Sequence, residues 1–203
     1  MNPLKSITGT LVSGVILALL IIFGLKAAGE NITSNHIEWT VWLHVIAGIT
    51  WIGLLYYFNF VQVPAVAKAL ADKEPGPAAI NKYVAPRALL WFRWAAVVTW
   101  LTGAAALWKM GILGAAFTFE NFTFASNTSI IGMGAWLGTI MLFNVWVLIW
   151  PNQKKILGLD GKEHSADEIA KAKTVALMAS RTNTLLSIPM LLGMTGYAHG
   201  LPF

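Results

Sequence analysis

Five stretches of this 203-residue sequence are apolar for long enough to cross a bilayer, and that constrains its fold more than any other feature. They lie near residues 7–25, 39–62, 88–108, 129–150 and 175–198. A spanning helix needs about 20 predominantly apolar residues. In hydrocarbon each backbone N–H and C=O must be satisfied within the protein, so runs of this length fold as helices. Residues are 57% hydrophobic and 11% charged, which leaves little chain for a soluble domain. The expectation is all-α: an integral membrane bundle of five transmembrane helices, with residues 1–203 as one transmembrane domain. Lys5 precedes the first run as it would in a signal peptide, but no small-residue cleavage site clearly follows. That run therefore reads as a retained span.

The net charge of +5 does not point to nucleic acid, because the charges are sorted along the chain. Lys5, the basic residues between spans 2 and 3, and those between spans 4 and 5 alternate with nearly uncharged connections. Counting Arg93 and Arg181 at the adjoining span ends, twelve of the fourteen Lys and Arg fall on one side, and only Lys26 and Lys109 on the other. The positive-inside rule then gives a cytoplasmic N-terminus and an outer C-terminus. Trp39, Trp42 and Trp108 fall in the outer aromatic belt, and Trp91, Trp94, Trp146 and Trp150 in the inner one. The outer connection 111–128 is expected either to lie in the interface or to cover the outer face of the bundle, and its Asn121-Phe-Thr and Asn127-Thr-Ser match the weak glycosylation pattern. Ser165-Ala-Asp-Glu168 is a capping-box pattern and predicts a helix of some 34 residues, from about Ala166 to His199. Pro151 reads as a stop signal for span 4. The inner loop that holds Pro64 and the turn Pro75-Gly76-Pro77 is expected to form a short helix on each side of that turn.

His44 is an ionisable group within the run 39–62, where no Asp, Glu, Lys or Arg accompanies it. Such a residue in a span is a functional site by default, and imidazole is a common axial ligand of haem iron. The bland alternative is a histidine hydrogen-bonded to a neighbouring helix. All nine acidic residues lie outside the apolar runs, which disfavours a proton relay or ion path. The absence of cysteine from this sequence excludes thiolate and covalently attached c-type haem within it, leaving a b-type haem. Gly48 and Trp51 follow at helical spacing on the same face, where Gly48 offers clearance for a flat macrocycle and Trp51 an aromatic contact. His199, at the outer end of span 5, is the candidate second iron ligand; its alternatives are a terminal interfacial side chain in its own right, or Met190 or Met194 in its place. His36 and His164 read as solvated loop residues. Arg93 reads as snorkelling to the inner surface, with an anion contact as the sharper alternative. Asn144 and Asn183 are expected to hydrogen-bond across helices.

Trp42-Leu-His44-Val-Ile-Ala-Gly48-Ile-Thr-Trp51-Ile-Gly53 resembles the first conserved helix of the PuuD-type membrane urate oxidases. Phe92-Arg93-Trp94 with Thr99-Trp100-Leu-Thr-Gly103, Asn144-Val-Trp146 through Pro151-Asn-Gln-Lys-Lys155, and Ser180-Arg181-Thr-Asn183-Thr are similar to later helices of that family. The His-x3-Gly-x2-Trp piece alone recurs in other haem- or copper-linked bundles. Urate oxidases of this type carry a C-terminal cytochrome c, and no Cys-x-x-Cys-His occurs among these residues. The resemblance therefore implies a redox module of a bacterial inner membrane, binding haem b near the outer face through His44, linked to urate oxidation. It would exchange electrons with a separate cytochrome or oxidase; lipid is its surround, and a homo-oligomer is compatible with it. The competing reading is a non-catalytic accessory subunit of a larger membrane complex, with span 1 packed on a partner. The charge sorting carries the first prediction: a reporter fused to the C-terminus is active only if it functions on the outer side, and cytoplasmic activity would overturn the assignment.

Overall fold

The computed structural model describes residues 2–33, 35–118 and 127–202, and the side chain of Asn127 lies outside that set. The Asn121-Phe-Thr pattern also lies outside it. Every regular element among the described residues is helical, and five helical stretches are long and apolar enough to span. They fall where the sequence places them. The chain divides into two compact units, Met1–His36 and Ile37–Phe203.

The first unit holds α1 (Ile7–Ala27). Ser6 caps it, its hydroxyl accepting from the Gly9 N–H at 3.0 Å. No α1 residue is buried, although the helix is apolar all round. Such a surface belongs in lipid or against a partner.

In the second unit, α2 (His36–Tyr57) runs through a π-helical turn, Phe58–Gln62, into α3 (Val63–Asp72). A second π-turn, Ile80–Val84, leads into α4 (Ala85–Lys109). The short α5 (Leu113–Phe117) follows. Next, α6 (Asn127–Phe143) continues through a third π-turn, Asn144–Ile149, into α7 (Trp150–Ile156). The last helix is α8 (Ala166–His199).

Pro64, Pro86 and Pro151 each come two residues after a π-turn. Proline has no N–H to give the helix, and its ring presses on the carbonyl four residues back. Widening the preceding turn relieves that clash without ending the helix. Helical segments form on both sides of the Pro75-Gly76-Pro77 turn as expected, the first continuous with span 2 across Pro64 from His36 to Asp72. One expectation is corrected: Pro151 does not stop span 4, which continues to Ile156.

Four helical stretches close into a ring, each antiparallel to its neighbours. Phe58 meets Phe92 edge-on at 5.4 Å, joining α2 to α4. The Trp100 indole donates to Thr139 at 2.9 Å, joining α4 to α6. The Asn144 amide donates to Asn183 at 2.8 Å, and Asn183 donates to the Met141 carbonyl at 2.9 Å, joining α6 to α8 as expected. Asn59 and Tyr56 bond Ser180 and Ser187, each at 2.9 Å, returning α8 to α2. Trp51, Leu55, Phe92, Ala96, Met141 and Val145 fill the middle. At one end, Ala116 of α5 packs with Leu107, Ile131 and Ala135, so the described part of the connection 111–118 covers the bundle as expected.

The capping box forms: the Ser165 N–H donates to Glu168 at 2.9 Å, and the Glu168 N–H to the Ser165 hydroxyl at 3.2 Å. The first of these bonds is the main reason the Glu168 carboxyl is held below its ordinary value. From this cap α8 runs 34 residues to His199, as predicted.

Helices α6 and α8 approach one another backbone to backbone. A Cβ on Gly193 would lie 2.8 Å from the Ile130 carbonyl oxygen and 2.9 Å from the Gly134 nitrogen, both backbone atoms that cannot turn aside. Small residues let helix backbones meet in this way. Gly193→Val is expected to destabilise the bundle by about 1–3 kcal/mol or more. Gly138→Ala, inside α6 with nothing within 4 Å of the added carbon, should not destabilise and should add up to about 1 kcal/mol. Thermal unfolding of both variants in one detergent checks the contrast.

Candidate functional site

His44 projects from α2 onto α4. Its Nδ1 lies 2.8 Å from the Thr99 carbonyl oxygen. A carbonyl only accepts, so Nδ1 carries the proton and Nε2 keeps its lone pair. The Thr99 and Thr102 hydroxyls turn back onto their own helix, donating to Ala95 at 2.7 Å and Val98 at 2.6 Å. The ring lies against Gly103, where a Cβ would sit 2.8 Å from the imidazole Cε1 and 2.9 Å from Nδ1. Thr99 and Gly103 thus set the orientation and tautomer of His44. Ligating histidines are commonly fixed in this way by a backbone acceptor on the far nitrogen.

The other predicted site residues are placed as follows. At Gly48 an added Cβ would meet only the Thr99 methyl, at an ordinary 3.7 Å. Trp51 is 2% exposed in the bundle core, and its indole N–H has no partner. His199 is the exposed last residue of α8, whose final turns pack on α6 through Gly193 and Gly196. The structure brings His44, Gly48 and Trp51 to one face of α2 and places no hydrogen bond between His44 and His199. His164 pairs with Asp160 at 2.8 Å, and this bond is the main reason the Asp160 carboxyl is held below its ordinary value. Among the described residues no three His, Cys, Asp or Glu side chains gather as a metal cage.

Sequence reasoning missed a second polar level. About fifteen residues further along α2, roughly 22 Å at 1.5 Å per residue, the four helices meet through Phe58–Phe92, Arg93–Trp150, Trp94–Trp146 and Asn59–Ser180. The Arg93 guanidinium lies 3.8 Å from the Trp150 ring centre, and its Nη1 is buried without a partner. The indole gives the guanidinium a partner on the neighbouring span while the side chain stays partly exposed. Asn59 Oδ1, Gln62 Oε1 and Trp146 Nε1 are also buried and unpartnered. The only sequence signal for this level was Arg93 itself. A separate groove of about 680 Å³ is lined by Gly53, Tyr57, Tyr83, Arg87 and Trp91. Its α2 residues lie on the face opposite His44, so it does not serve that histidine.

Residues 105–202 match the family model described as Urate oxidase N-terminal. This bears out the resemblance read from the sequence and points to a role related to urate oxidation. The match includes Asn144, Pro151, Arg181 and Asn183; His44 and Arg93 precede it. No curated protein and no solved structure matches the chain.

The Gly103 contact makes its own prediction. Gly103→Val should displace the His44 ring and break its bond to Thr99. In the ¹⁵N spectrum of the chain in micelles, the His44 signals, assigned by their loss in His44→Ala, should show one Nδ1–H tautomer in wild type and a mixture in the variant. An unchanged tautomer in Gly103→Val would contradict the geometry.

Proposed function

We propose that this chain is a multi-pass redox module of a bacterial inner membrane, serving urate oxidation, with His44 as axial ligand of a b-type haem. The observation that carries this reading is the His44 tautomer: the N–H is spent on Thr99, and the lone pair remains on Nε2. A single protein ligand cannot hold a bare metal ion, whereas a porphyrin brings four nitrogens of its own and needs only one or two more. The donor set therefore fits haem better than a free metal. A bound haem would supply one-electron chemistry.

The protein's part is to hold and orient. Thr99 and Gly103 fix the imidazole plane, and the Thr99 bond raises the basicity of Nε2. Gly48 on the same face leaves the neighbourhood of the ring open. Trp51 offers an unspent N–H and an aromatic surface two turns away. His199 remains the proposed second ligand, and meeting the His44 site would require the end of α8 to move. By the charge sorting, His44 lies in the outer half of the bundle, where a soluble cytochrome approaches. The family match supplies the urate connection.

The purified chain should show a b-type absorption spectrum that sharpens on dithionite reduction. His44→Ala should lose haem while all five helices stay inserted, because hydrophobicity drives insertion. Full haem content in that variant would refute the assignment. A chain that binds no haem would instead favour the accessory-subunit reading, for which the apolar surface of α1 offers the contact face.

A further inference from the structure

The groove on the far side of α2 from His44 has a chemistry of its own. It runs between α2 and α4, and Ile49, Leu54, Val84 and Ala88 make its walls apolar. Gly53 leaves a hollow in the α2 wall, since nothing lies within 4 Å of a Cβ added there. The π-turn Ile80–Val84 contributes Tyr83 and Val84 to the other wall, just before α4 begins. Phe58 meets Phe92 and the two helices run antiparallel, so Tyr83 and Arg87 lie beyond Tyr57, at the end away from Ile49. Lys82 adds a second cation at that end, its Nζ 5.3 Å from the Tyr83 ring centre. Nearer the other end, Thr50 spends its hydroxyl on the Ile46 carbonyl at 3.2 Å. Arg87 is exposed and makes no ion pair among the described residues, and none of the described residues lining the groove is acidic.

The groove is therefore amphiphilic, with its charge at one end. A soluble anion would meet Arg87 and leave the apolar length empty. A neutral hydrocarbon would fill the length and leave the cation unused. A hydrocarbon chain that ends in an anion answers both. From Ile49 to Tyr57 the α2 wall covers about 12 Å at 1.5 Å per residue, and α4 carries the groove further, to Arg87. One leaflet offers about 15 Å of hydrocarbon, half of a core about 30 Å thick. The groove thus has the depth of a lipid chain in a single leaflet. By the charge sorting its Arg87 end faces the cytoplasmic side, where basic pockets between spans attract anionic headgroups.

We propose that the α2–α4 groove binds one anionic phospholipid of the cytoplasmic leaflet. An acyl chain lies along Ile49, Gly53 and Leu54, and the phosphodiester sits at Arg87 with Lys82 beside it. The site rests on the membrane-spanning part of the function proposed above and needs neither haem nor His44.

The test is native mass spectrometry of the full chain released from detergent micelles, titrated with phosphatidylglycerol or with phosphatidylcholine of the same acyl chains. Wild type should take up one phosphatidylglycerol saturably, about fivefold tighter than phosphatidylcholine, the size expected of one basic residue near a charged headgroup. Arg87→Gln, at an exposed position, should lose that preference, while Lys173→Gln on the exposed surface of α8 should keep it. Gly53→Phe, which fills the hollow, should weaken both lipids several-fold with the thermal transition unchanged. Glycerol 3-phosphate, which carries the charge without the chains, should not compete. His44→Ala should bind phosphatidylglycerol as wild type does, so that loss of haem and loss of lipid are separate results. Equal binding of the two lipids to wild type would overturn the site, as would a preference that survives Arg87→Gln or vanishes equally in Lys173→Gln. Wild-type affinity in Gly53→Phe, competition by glycerol 3-phosphate, or loss of lipid in His44→Ala would do the same.

Discussion

A polar side chain inside an apolar bundle has to find its partner on the next helix, and this structure depends on that constraint. Asn183 has no exposed surface, yet both ends of its amide are used, one on Asn144 and the other on the Met141 carbonyl. The bonds fix the axial register of α8 on α6. Gly193 can then meet Gly134 backbone to backbone, because the register brings two residues without side chains to the same height. Tyr56 to Ser187 and Asn59 to Ser180 pin α8 to α2 in the same way. Each bond adds little net free energy, about 1 kcal/mol. An amide left unpartnered by a slip of one turn would cost more, so these contacts select one register among several apolar packings of similar energy.

The helices were legible because length and hydrophobicity alone define a span, and because Ser165 and Glu168 form a local start signal that needs no tertiary context. The joins were not. Pro64 and Pro151 are breakers in a sequence reading, since a proline removes one N–H and collides with the turn before it. In the structure the preceding turn opens to π geometry and the helix continues. Whether a helix ends or widens there is decided by neighbours: Asn59 and Asn144 lie in widened turns and hold partners on α8 that an ended helix would forfeit.

The candidate site was legible only in part, for a similar reason. His44 stands out because no Asp, Glu, Lys or Arg accompanies it in its run. What orients it is a backbone carbonyl and a missing side chain, at Thr99 and Gly103, and neither leaves a mark that a sequence displays. Asn59 and Gln62 sit within Phe-Asn-Phe-Val-Gln, where uncharged amides look like ordinary interfacial residues. The contact of Arg93 with Trp150, 57 positions away, likewise shows only in the folded chain. Contacts made by backbone, by glycine or across long sequence distance emerge only from the folded chain.

The two polar levels are far enough apart to be judged separately. Sites more than about 10 Å apart with no shared partner usually perturb one another little, and the axial offset here is roughly twice that at the helical rise of 1.5 Å per residue. Between them lies close-packed core, with Trp51 and Phe92 2% and 1% exposed. This packed core, in which the Trp51 N–H has no partner, separates the His44 ring from the Arg93–Trp150 contact.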